Sequence, residues 1–220
     1  MNVFIFGQKE FGAAVFRRLL RDGVTISGVC CPSYNSRGQT DRLRDAANTY
    51  SVPSLEAGSL QADRLPSGID LIVCAHSHDF VGAATRRKAV HGAIGFHPSL
   101  LPRHRGRDAI RWTLKMRDAV AGGSVYWLDD RMDAGPIAAQ EYLFVDPDET
   151  VESLWREKLF PMVVSLLSQV VADVKAGKIV KERQNERHAT FEPACNPPPV
   201  RRPDLPRIGL HPVEMMGPLE

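Results

Sequence analysis

Apolar residues along this chain alternate between two patterns. Asn2-Val3-Phe4-Ile5-Phe6 is a nearly unbroken apolar run that stops at Gly7, the mark of a strand buried on both faces. Phe11, Val15, Phe16, Leu19 and Leu20 then recur at helical spacing and stop near Gly23. Thr25–Cys31 returns to the strand pattern and ends before Pro32, which closes a β-α-β unit. The polar stretch Tyr34–Gln39 is a loop, and Thr40 stands where an N-cap opens a helix through Leu43, Ala46 and Ala47. Val52-Pro53, Gly58 and Pro66 punctuate a variable segment. Asp70–Ala75 then predicts another buried parallel strand, a helix is expected from about Gly82 to Val90, and Ala93–Phe96 is the next short strand.

Ile110, Trp112, Leu114 and Met116 fall in a predicted helix in which Trp112 reads as core. Gly122–Leu128 and Pro136–Val145 are two further predicted strands. The loop between them, Asp129–Gly135, ends on a glycine that implies a sharp bend or close packing. From Glu149 to Gly177 runs a long amphipathic helical stretch, interrupted at Pro161, with Leu154, Leu159, Val163, Leu167 and Val171 on its buried face. Strands alternating with helices predict an α/β fold: a Rossmann-like, mostly parallel sheet with helices on both faces. After Val180 the composition shifts, with seven prolines between Pro193 and Pro212. This divides the chain into a domain at 1–182 and a proline-rich extension at 183–220, which would wrap the domain or contribute to a homodimer.

Composition narrows the class. With 43% hydrophobic and 25% charged residues the chain reads as a globular domain rather than a disordered one. The net charge is +2 and no basic run occurs, so nucleic acid is not an expected partner. No apolar run approaches the ~20 residues of a membrane span, and a chain that opens directly on a strand is not expected to carry a leader. The four cysteines include no Cys-x-x-Cys pair. Cys30 and Cys74 lie in strand-like runs as small core residues, which fits a reduced, cytoplasmic protein.

Candidate chemistry begins at His97. It follows the strand Ala93–Phe96 and precedes a loop stiffened by Pro98 and Pro102. Open α/β sheets place ligands outside the carboxyl ends of their strands, and histidine can act as acid, base or donor near neutrality. On position alone, a histidine that merely caps the strand is an equal reading. Gly7-Gln8-Lys9-Glu10-Phe11-Gly12 lacks the Gly-x-Gly-x-x-Gly spacing of a dinucleotide site, although the helix start there offers amides to an anionic substrate. His76-Ser77-His78-Asp79-Phe80 lacks the further histidine of a metallo-hydrolase pattern, so no metal is expected. Arg103, Arg105 and Arg107 read as a solvated basic rim, or else as an anion site.

His97-Pro98-Ser99-Leu100-Leu101-Pro102, followed after two residues by Arg105-Gly106, resembles the signature of the folate-dependent formyltransferases. So do Gly123–Leu128, Asp133-Ala134-Gly135-Pro136-Ile137 with Gln140, and the opening Val3–Gly7 with Glu10-Phe11. The resemblance implies a formyltransferase fold and, as donor, 10-formyltetrahydrofolate. The acceptor it implies is an amine on a small molecule, such as an amino sugar, an amino acid or a biosynthetic intermediate. It assigns catalysis to His97 and Asp133. It places the folate by position along His78, Asp79, Phe80, Val81, Leu128 and Asp129, and the acceptor beside Gly7, Gln8, Lys9 and Glu10. Ala189-Thr190-Phe191-Glu192-Pro193 resembles the segment that follows the catalytic domain in several members. The extension is too short for the C-terminal barrel of methionyl-tRNA formyltransferase, which argues against a tRNA acceptor.

The chain departs from the family pattern at two positions. The expected catalytic asparagine falls on Gly95, and an expected histidine on Tyr126. Loss of one oxyanion donor costs ~10²–10³ in turnover in other enzymes. Tyr126, His76 or His78 would then have to replace it. Otherwise the protein is a folate-binding or regulatory protein on the same fold, or a hydrolase of formyl-folate.

Overall fold

A computed structural model describes residues 1–58, 62–77 and 79–195. Seven strands form one sheet: β1 (Asn2–Gly7), β2 (Thr25–Cys31), β3 (Ser54–Glu56), β4 (Leu71–Ala75), β5 (Ala93–His97), β6 (Val120–Trp127) and β7 (Ile137–Phe144). Their spatial order is β3-β2-β1-β4-β5-β6-β7. The first five run parallel, and β6 and β7 turn antiparallel. The mostly parallel α/β sheet expected from the sequence is therefore present. The short edge strand β3 lies in the segment that the sequence left unassigned.

One face of the sheet is covered by α1 (Lys9–Arg21), α2 (Arg42–Thr49) and α6 (Phe160–Lys175). Phe11, Val15, Phe16 and Leu19 of α1 are essentially inaccessible, each worth roughly 1.5–3 kcal/mol of burial. The opposite face carries a smaller core of Phe4, Phe6, Cys30, Leu65, Ile69, Ile72, Val81 and Ala89. Burial pushes the Cys30 thiol up to about 12, so it stays neutral within that core.

Four local expectations need correction. Asp41, not Thr40, caps α2: its carboxylate accepts the Leu43 amide at 2.9 Å. The helix expected to reach Val90 is only α3 (Ala83–Arg86). Beyond it the amides of Val90 and His91 are captured by the carbonyls of Ile69 and Asp70, which pulls the backbone out of helical geometry. The break expected at Pro161 occurs one turn earlier. After a short α5 (Val151–Ser153) the chain widens into a π-helical segment, Leu154–Leu159, and Pro161 then sits in the first turn of α6, where its missing N–H costs nothing. Trp112, in α4 (Ala109–Lys115), is half-buried under the C-terminal segment. Its indole donates to Pro193 O at 2.8 Å and its face carries Lys115, so it is not part of the main core.

Candidate active site

His97 is the last residue of β5 and only 6% exposed. Its Nε2 lies 2.6 Å from the carbonyl oxygen of His104. A carbonyl only accepts, so Nε2 carries the hydrogen and Nδ1 is the nitrogen left to the site. Nδ1 lies 3.6 Å from Oδ2 of Asp133. That is beyond a hydrogen bond and within reach of one after a small movement.

The loop after His97 is braced from β6. Ser124 is fully buried; its hydroxyl donates to Ser99 O (2.7 Å) and accepts the Leu101 amide (3.0 Å). Gln140 on β7 donates to Ser124 Oγ at 2.7 Å and to Leu101 O at 2.9 Å. The serine–leucine stretch is thus held by side chains more than fifteen positions further along the chain.

Asp133 sits in the β6–β7 loop with φ 50°, in the left-handed region. Its two oxygens have separate donors: the Tyr126 hydroxyl to Oδ1 at 2.6 Å and the Gly106 amide to Oδ2 at 2.8 Å. Tyr126 is 6% exposed. Burial first, and then the Asp133 charge and hydrogen bond, push its phenol well above the usual value, so it remains a donor. A phenol has one proton, and here that proton is directed to Asp133. Tyr126 therefore orients the carboxylate rather than standing in for the missing asparagine.

The space over Gly95 is filled. A Cβ there would lie 3.1 Å from Leu128 Cδ2 and 3.7 Å from Tyr126 Cε1. The other candidate donors divide. His76 is half-buried just after β4 with φ 63°, and His78 lies outside the described residues. Of the residues aligned with the folate loop, Phe80 is 77% exposed while Val81 is buried in the smaller core. The Asp79 carboxylate turns away to accept the Gly58 amide at 2.8 Å. Leu128 lies over Gly95, and Asp129 holds Arg131.

Arg86 joins these two loops, which sequence reasoning did not find. It donates to Val81 O (2.8 Å) and Asp129 O (3.0 Å) and pairs with Asp130 at 2.6 Å. One arginine on a short helix carries no sequence signal for such a bridge.

The β1–α1 turn differs from expectation. The Lys9 amide is not open to an anionic substrate, because both oxygens of Asp41 already accept it, at 2.9 and 3.1 Å. Asp41 is 2% exposed and serves the starts of α1 and α2 together. Gly7 is pressed on Ala75, whose carbonyl oxygen would be 2.4 Å from a Cβ. Glu10 pairs with Arg17 at 2.9 Å. Gln8 is buried, and its amide nitrogen has no partner among the described residues. The arginines beside the His97 loop divide. Arg105 is 8% exposed and engaged by Gln184 and Glu186, whereas Arg103, which pairs with Asp118 at 3.0 Å, and Arg107 are both exposed, as the solvated reading expects.

A histidine at the end of a parallel strand is thus faced by a carboxylate from the antiparallel return, in an α/β protein whose candidate site lies at the carboxyl end of β5. The family model described as formyl transferase matches residues 1–171, and the chain belongs to that family. Mitochondrial 10-formyltetrahydrofolate dehydrogenase of Mus musculus is 36% identical over 202 residues, which is 87% of this chain and 22% of that protein. The chain thus spans about a fifth of that relative's length. Among solved structures, glycinamide ribonucleotide transformylase 1 from Symbiobacterium toebii has a TM-score of 0.71 at 22% identity, covering 83% of this chain and 91% of that one. A sugar 3N-formyl transferase, solved in the presence of dTDP and 5-N-formyl-THF, has a TM-score of 0.71 at 13% identity, covering 87% and 69%.

Proposed function

We propose that this chain cleaves the formyl–nitrogen bond of 10-formyltetrahydrofolate and hands the formyl group to an amine of a small-molecule acceptor, with His97 and Asp133 as its catalytic pair. The observation that carries this is the Tyr126–Asp133–His97 arrangement: a carboxylate fixed by two donors, 3.6 Å from an imidazole nitrogen. The related proteins named above support the donor, since the descriptions of two of them carry formyl-folate.

In this reading the nucleophile attacks the formyl carbon and its proton passes to Asp133, directly or through one water. The formyl oxygen becomes an oxyanion. With Gly95 bare and the Tyr126 proton directed to Asp133, the donor at hand is His97 Nδ1–H, once that nitrogen is protonated. Collapse of the intermediate breaks the bond to the folate N10, which takes up the proton the nucleophile lost. The folate is assigned to the loops Asp79–Val81 and Leu128–Asp129 that Arg86 joins, together with His78, and the acceptor to the side of Gly7–Glu10. His76 is the remaining candidate for a second oxyanion donor. The catalytic unit is assigned to 1–182.

Tyr126→Phe keeps the ring over Gly95 and deletes one hydrogen bond to the carboxylate. Turnover should fall about tenfold, the equivalent of one charge-assisted bond, with little change in melting temperature. A variant as fast as the wild type would remove Tyr126 from the site.

A second reading, with water as nucleophile and formate as product, is favoured by the turn occupied by Asp41, which leaves no open Lys9 amide for an anionic acceptor. Purified protein mixed with 10-formyltetrahydrofolate, with and without a panel of amines, separates the readings by the rate of tetrahydrofolate release. Release that requires an amine supports transfer, and release with formate in plain buffer supports hydrolysis. Donor binding without release in either mixture points to a folate-binding protein instead.

A further inference from the structure

Asp133 stands on a loop, and a loop carboxylate acts reproducibly only if its backbone is held as firmly as its oxygens. Much of that support comes from far along the chain. The segment after α6 first lies along β7, with Glu182 exchanging both backbone hydrogen bonds with Ile137 (2.7 and 2.9 Å). Gln184 comes next. Its amide nitrogen donates to Asp133 O and to Gly135 O, both at 2.8 Å, and so spans the turn that carries the carboxylate. Its amide oxygen accepts Nε and Nη2 of Arg105, at 3.0 and 2.7 Å.

Arg105 is the residue between His104, whose carbonyl holds His97, and Gly106, whose amide holds Asp133. The segment stays with that loop further on. The amide of Thr190 donates to Pro102 O (3.1 Å), its hydroxyl accepts the His104 amide (2.8 Å), and the Arg105 amide donates to Thr190 O (3.0 Å). Gln184 thus ties the His97 loop to the backbone of the Asp133 loop, beside the direct bond from the Gly106 amide to the Asp133 carboxylate.

We infer that Gln184 is a positioning residue that sets the separation of His97 and Asp133, acting from outside the reacting groups. The inference rests on the assignment of these two residues to catalysis. Every polar group of its side chain is used, two donors on one loop and one acceptor on the other, so a side chain that fills the same space without this polarity cannot replace it. Misplacing a reacting group by about 1 Å can cost 10²-fold in rate.

The test uses Gln184→Met, which keeps the volume and removes the polarity, and Gln184→Glu, which keeps the acceptor for Arg105 and sets carboxylate oxygens against Asp133 O and Gly135 O. Each is expected to lower kcat about 10- to 100-fold while the KM for 10-formyltetrahydrofolate stays within about twofold. A second readout needs no turnover: the proton NMR resonance of the Tyr126 hydroxyl, held by Asp133 in the wild type, should shift or vanish in both variants. A Gln184→Met protein with wild-type kcat, or a resonance unmoved in both variants, overturns the inference. If the wild type leaves formyl-folate untouched, the assignment of function falls and the resonance alone decides whether Gln184 positions Asp133.

Discussion

Asp133→Asn should leave the protein folded and lower formyl-folate turnover by about 10²–10⁴-fold, the range for loss of a general acid–base group. The asparagine fits the same hydrogen bonds. Its oxygen can accept the Gly106 amide, and its nitrogen can donate to the Tyr126 oxygen once the phenol proton turns away. What it cannot do is take a proton from a nucleophile or carry charge opposite Nδ1 of His97. Steady-state turnover beside a thermal melt checks both halves. Rates like those of the wild type would end the catalytic assignment of Asp133, and a large fall in melting temperature would show that the carboxylate serves the fold instead.

Gly135→Ala should have the largest effect on stability. A Cβ at Gly135 would lie 1.8 Å from Trp127 O, 3.0 Å from Trp127 C and 3.4 Å from Asp129 N. The contact is backbone on backbone at the neck of the Asp133 loop, where the Trp127 amide donates to Pro136 O at 2.8 Å. No rotamer change can relieve it, so the neck must open. Overpacking of this kind costs ~3 kcal/mol or more, which for a chain of this length is a fall of roughly 6–12 °C in Tm. Turnover should drop as far as in Asp133→Asn, because an opened neck moves the carboxylate. A melt within about 1–2 °C of the wild type would mean that the loop tolerates a wider neck.

The sequence was most legible where a single local pattern decides the structure. The apolar runs that became β1, β2, β4 and β5 are buried on both faces, so composition alone marks them, and helical spacing did the same for α1. It was least legible where a distant group overrides the local preference. Thr40 is a reasonable cap, but Asp41 also reaches the Lys9 amide 32 positions earlier, and this second bond selects it. The helix after Gly82 ends early because residues 69 and 70 capture the backbone of residues 90 and 91. At the site, the position of His97 at a strand end followed from the run before it and the prolines after it. Asp133 followed only from family resemblance, since no spacing connects it to His97. Arg105 looked like one of three surface arginines. Its partners lie 79 and 81 positions away, and nothing in the neighbouring sequence points to them.

The carboxylate of Asp41 has a bearing on motion. Because it is shared between the first turns of α1 and α2, those helices cannot part without giving up the Lys9 bond, while the Leu43 bond stays within α2. That tie links two helix starts 32 positions apart in the chain. The Asp133 loop rests instead on side-chain hydrogen bonds from a short C-terminal stretch, each worth only about 0.5–1.5 kcal/mol. Hydrogen exchange should therefore reach the amides of that loop before those in the first turns of α1 and α2.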